Sequence, residues 1–191
     1  MDKIFGNLWL VVAIGFGLAG VMMALPEFTN VPGVQYGVAT AAFQWLHVLF
    51  GVLWIGLLYY LNFVQVPSMP AIPAEQKPAV TKHIAPRVLF YFRWGAALTV
   101  LTGLILAHLY GELEDSLLLR ENARWIGIGM WLALIMAFNV WFIIWPNQKK
   151  VLGIVEADDA AKARAGKTAL IASRTNVMLS VPMLLAMTTF R

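Results

Sequence analysis

The chain has 191 residues, a net charge of +4 and no cysteine, with 60% hydrophobic and 13% charged residues, against about 25% charged in an ordinary soluble domain. That balance excludes a water-soluble globular protein. The missing cysteines exclude disulfides, thiolate metal centres, iron–sulfur clusters and covalent c-type haem.

Five apolar stretches, at residues 8–25, 38–66, 88–110, 125–145 and 170–190, take up most of the chain. A helix rising about 1.5 Å per residue needs about 20 residues to cross the hydrocarbon of a bilayer, and each stretch qualifies, the first and last narrowly. The expected fold is therefore all-α: a single transmembrane domain over residues 1–191, built as a bundle of five membrane-spanning helices in contact with the lipid bilayer. The first stretch follows Lys3, as a signal peptide would. Met22-Met23-Ala24 offers no small-x-small cleavage pattern, so the stretch is expected to remain as a helix, with Gly15, Gly17 and Gly20 permitting close packing.

The second stretch contains Gln44, His47 and Asn62. The third opens with Arg93 and closes with His108, and the fourth runs from Trp125 to Trp141 and Trp145. Pro146, followed by Lys149 and Lys150, reads as a firm stop to the fourth helix. Residues 156–168 read as a short separate helix capped by Asp158 or Asp159, and Arg174 and Asn176 lie in the fifth stretch.

Basic residues fix orientation, because Lys and Arg near helix ends are retained on the cytoplasmic side. Lys3, Lys77, Lys82, Arg87, Arg93, Lys149, Lys150, Lys162, Arg164, Lys167 and Arg174 fall on one face, 11 of the 14, and only Arg120, Arg124 and Arg191 on the other. The second face carries Glu27, Glu112, Glu114, Asp115 and Glu121. The expectation is N-terminus in and C-terminus out, with the positive charge meeting lipid headgroups and no nucleic acid.

Polar residues at membrane depth are costly, so each is a candidate for function or for interhelical hydrogen bonding. His47, Gly51 and Trp54 are spaced i, i+4, i+7 and share one helix face, which places a glycine beside an imidazole and leaves room for a flat macrocycle. His47 and His108 stand on antiparallel helices in the same half of the membrane and are candidate axial ligands of one haem b iron. In that reading Arg93 pairs with a propionate or substrate anion and Trp54 packs on the ring. The alternative is a histidine hydrogen-bonded to a neighbouring helix. Arg93 and Arg174 are near enough to helix ends to snorkel.

Four blocks carry a resemblance: residues 46–61; Phe92-Arg93-Trp94; Asn139-Val140-Trp141 with Ile144-Trp145-Pro146-Asn147-Gln148-Lys149-Lys150; and Ser173-Arg174-Thr175-Asn176 with Leu179-Ser180-Val181-Pro182-Met183. Together, over about residues 43–189, they resemble the membrane domain of bacterial urate hydroxylases, the urate oxidase N-terminal domain family. The resemblance implies urate oxidation with electrons passed to the respiratory chain, in the bacterial inner membrane. The chain departs from the family pattern in having no cytochrome c domain, a short connection between helices two and three without a His-rich stretch, and Thr175 in place of a histidine. The second helix is also similar to the bacterial membrane protoporphyrinogen oxidase family, in which an intramembrane histidine binds haem. Two functions stay open: a haem b redox protein working with a cytochrome c or respiratory complex, or a noncatalytic accessory subunit of a larger membrane complex.

Overall fold

The structure is a computed structural model and describes residues 7–25 and 37–189. Lys3, Glu27, Phe190 and Arg191, which entered the sequence analysis, lie outside the described residues. Every regular element among the described residues is helical: α1 (Leu8–Ala24), α2 (Val38–Ala71), α3 (Lys77–Leu109), the short α4 (Leu113–Leu117), α5 (Glu121–Val151) and α6 (Asp159–Thr189). The chain divides into two compact units, Met1–Phe43 and Gln44–Arg191. In the first unit, α1 is apolar on all sides and capped by Asn7, whose side chain accepts from the backbone N–H groups of Trp9 and Leu10. Its 17 residues make it shorter than the other long helices. The four helices α2, α3, α5 and α6 are long and apolar enough to cross a membrane.

The helices run past the expected boundaries, and prolines explain how. Proline lacks an N–H and its ring collides with the carbonyl four residues back, so it ordinarily breaks a helix. Here Pro67, Pro86 and Pro146 each follow a π-helical segment, Tyr60–Gln65, Val80–Ile84 and Asn139–Ile144 respectively. In each case the residue just before the proline donates its backbone N–H to a carbonyl five residues back: Val66 to Leu61, Ala85 to Val80, Trp145 to Val140. The wider turn makes space for the ring and lets the helix continue. The expected stop at Pro146 is thus corrected. α5 continues to Val151 and ends at Gly153, whose φ of 73° allows its N–H to reach Lys150 O while Ile154 N–H reaches Lys149 O. α3 ends in the same way at Gly111.

The separate helix expected at residues 156–168 is corrected too. Asp158 does cap it, accepting from Ala161 N–H at 2.6 Å, but Thr168-Ala169-Leu170 contains no breaker and the helix runs unbroken into the last apolar stretch. Within the second unit, α2, α3, α5 and α6 enclose a core of Trp54, Leu58, Leu89, Phe92, Met136, Val140, Ile144 and Met183. Because lipid gives no hydrophobic drive for helices to associate, close approach at small residues and interhelical hydrogen bonds must hold them together. Gly129 shows the first: a Cβ there would stand 3.0 Å from that of Ala186 on α6.

The α3–α5 connection carries the acidic residues. Arg120 is paired with both Glu114 and Asp115, and Arg124 lies 3.8 Å from Glu121. Below, this is the acidic end of the bundle, and the end bearing Lys77, Lys149 and Lys150 is the basic end.

Candidate functional site

α2 and α3 pack antiparallel with a defined register. On α3, Gly95, Thr99 and Gly103 recur every four residues and form a strip of small side chains. The α2 face opposite carries His47, Gly51 and Trp54. A Cβ on Gly95 would lie 3.4 Å from the Trp54 backbone, Gly51 faces the Thr99 methyl, and a Cβ on Gly103 would stand 2.7 Å from His47 Cε1. Glycine at 103 is therefore what admits the imidazole. The close approach sought at Gly51 occurs across the seam instead, since a Cβ on Gly51 would meet only Thr99 Cγ2, at an ordinary 3.9 Å.

His47 Nδ1 lies 2.9 Å from the Thr99 carbonyl oxygen. A carbonyl only accepts, so Nδ1 carries the proton and Nε2 keeps its lone pair. The same carbonyl also accepts from the Thr102 hydroxyl at 3.2 Å. The imidazole is thus fixed in tautomer and rotation by backbone, with one nitrogen donating to a carbonyl as in metal-ligating histidines and the other keeping its lone pair. Near the acidic end the seam is closed by the Tyr110 hydroxyl donating to Gln44 Oε1 at 2.9 Å.

The other expected site residues lie apart from this imidazole. Trp54 is completely buried in the core, and its indole N–H has no hydrogen-bond partner. His108 is exposed in the last turn of α3. It stands five residues beyond Gly103, which at about 100° per residue turns it about 140° away from the face that receives His47. Arg93 lies ten residues from Gly103 in the other direction, about 15 Å along the axis. Its Nε donates to Leu89 O at 3.1 Å, and its guanidinium carbon sits 3.4 Å from the centre of the Trp145 ring and 5.6 Å from that of Trp141. Arg93 therefore points to the basic end, stacked between α3 and α5.

A second polar region escaped the sequence analysis in its pairing. Asn139 Nδ2 donates to Asn176 Oδ1, and the wholly buried Asn176 donates in turn to Met136 O, both at 2.9 Å. Tyr59 and Ser180 hydroxyls lie 2.9 Å apart, and Asn62 Nδ2 donates to Ser173 Oγ at 2.8 Å and to Leu58 O. Ser173, Asn176 and Ser180 sit on α6 at i, i+3 and i+7, so one face of this helix ties itself to α2 and α5 by turns. That spacing was available in the sequence. The strip at 95, 99 and 103 was as well.

The described residues contain no cluster of three or more metal-ligating side chains. An iron at the seam would depend on one imidazole and on its own macrocycle.

Residues 113–190 match the urate oxidase N-terminal family. The match covers α4, α5 and α6, less than half of the chain, and includes the third and fourth sequence blocks of the resemblance. The α2–α3 seam with His47 lies outside it. Neither the curated proteins nor the solved structures contain a match to the chain.

Proposed function

We propose that this chain is a multi-pass protein of the bacterial inner membrane, related to the urate hydroxylase membrane domain, that binds haem b through His47 and takes part in respiratory-chain-linked oxidation or electron transfer. The observation that supports this most is the His47 ring, held by the Thr99 carbonyl with Nε2 left as a ligand nitrogen. Haem bound there would supply a one-electron couple. The chain's own residues set the ligand: Thr99 O selects the tautomer, and Gly103 gives the ring its place against α3.

The reading uses one axial imidazole, because His108 faces away from the seam. Arg93 is held at the basic end, so a propionate finds no partner in it. In this proposal α1 is a fifth crossing, the N-terminus is cytoplasmic, the C-terminus is outside, and a cytochrome c or a respiratory complex exchanges electrons at the bilayer surface.

A second reading, a noncatalytic subunit of a larger membrane complex, is favoured by the fact that Trp54, Arg93 and His108 each stand away from His47. Purified protein expressed with haem supplied separates the two. Under the redox reading it has a Soret band that His47→Ala abolishes and His108→Ala leaves in place. A folded wild-type protein without that band supports the accessory subunit.

A further inference from the structure

Toward the basic end, α2, α3, α5 and α6 surround a cavity of about 210 Å³. It lies where three helices carry their π-turns and prolines: Gln65 and Ile144 are the last residues of two π segments, and Ala85 follows the third. Phe92, Ile144 and Ala169 give it an apolar wall, and its polar lining is Gln65, Gln148 and Ser173, with no charged side chain.

Gln65 Oε1 is buried and has no hydrogen-bond partner. Three residues earlier on α2, Asn62 spends its N–H groups on Leu58 O and Ser173 Oγ and keeps its own buried Oδ1 unpaired, outside the lining of the cavity. Leaving a buried acceptor unpaired is costly, and Gln65 belongs to the lining of this cavity. Water is a poor partner for it. Waters there could bond to one another and to Gln65, Gln148 and Ser173, but most of the lining is apolar and gives them no protein partner. An apolar cleft with a few convergent polar groups is instead the usual form of a small-molecule site.

The geometry points to a binding site for a small, uncharged, planar molecule, about one aromatic ring in size, that presents a hydroxyl or N–H donor to Gln65 and an apolar body to Phe92 and Ile144. The site is independent of His47 and of haem.

The test is ¹⁹F NMR on the full chain in lipid nanodiscs, with empty nanodiscs to subtract lipid partitioning. The probes are 4-fluorophenol and its donorless counterpart fluorobenzene. Saturable binding of 4-fluorophenol is expected, about tenfold tighter than fluorobenzene, as one hydrogen bond to a buried acceptor provides. Gln65→Met should weaken 4-fluorophenol about tenfold and leave fluorobenzene unchanged. Gly166→Leu, at a lining position where a Cβ meets only a Val151 methyl at 3.8 Å, should fill the cavity and exclude both probes while thermal melting reports an intact fold. Equal affinity for the two probes, indifference to Gln65→Met, binding that survives Gly166→Leu, or no saturable binding would each overturn the proposal.

Discussion

The acidic-end seam between α2 and α3 and the basic-end lattice around α6 solve the same problem by opposite means. At the seam, helices approach through absent side chains: Gly95 and Gly103 let Trp54 and His47 lie against backbone, and the His47 ring is satisfied by a backbone carbonyl. In the lattice, Asn62, Asn139, Asn176, Ser173, Ser180 and Tyr59 bond to one another across helices. A steric seam is sensitive to one added methyl, whereas a network of hydrogen bonds loses its members gradually, since single interhelical bonds in membranes average about 0.6 kcal/mol. The seam also leaves a nitrogen of His47 unused, and Gln65 Oε1 is unpaired in the cavity lining next to the lattice, so each region has capacity for chemistry of a different kind.

The largest effect should come from Gly103. Gly103→Val forces the imidazole out of its place and should destabilise by about 1–3 kcal/mol, as overpacking does, while Gly51→Ala should be nearly neutral. Thermal melting in mild detergent checks both, and if the two variants melt alike the seam register is wrong. Gly127→Ala comes next. Its Cβ would collide with the Ser116 carbonyl oxygen, a backbone atom that cannot rotate away, so the α4 connection must shift. A loss of about 1–2 kcal/mol, with hydrogen exchange faster in residues 113–120, is expected.

In the lattice, Asn176→Ala and Asn139→Ala should each cost about 0.5–1.5 kcal/mol, and the double variant should cost less than their sum because they share one bond. Additive losses would mean that the two amides act separately, which would break the contrast with the seam.

The smallest effect is pH-dependent and confined to the acidic end. Asn122 and Arg120 hydrogen bonds hold the Asp115 carboxyl below its ordinary value. A carboxyl whose folded pKa is depressed stabilises above its unfolded pKa and loses that contribution as pH falls through the folded one. Lowering the pH below about 4 should therefore loosen residues 113–123 in hydrogen exchange and leave the helical core protected. Asp115→Asn should reproduce the loosening at neutral pH.

Much of the fold was legible in the residues. Hydropathy marked α2, α3, α5 and α6 because the bilayer demands about 20 apolar residues regardless of what the helix touches, and the pairing of Arg120 with Glu114 and Asp115 agrees with an acidic connection. The candidate site was legible in part. His47 stood out as an ionisable group at membrane depth, but Gly51 was chosen as its neighbour by spacing along one helix, and the glycine that seats the ring is on another.

The sequence by itself determined that this is an all-α protein with long apolar helices, which of its connections are basic, and which few polar residues would need partners, since these depend on composition and local spacing. Tertiary structure alone decided that Pro67, Pro86 and Pro146 sit inside continuing helices, that Thr99 O is the partner of His47, that His108 faces elsewhere, and that Gln65 keeps an unpaired oxygen in the lining of a cavity. The reason is physical: a helix's periodicity specifies which face a residue occupies, but the height at which two helices meet is set by the combined packing of all four, and no local pattern contains it.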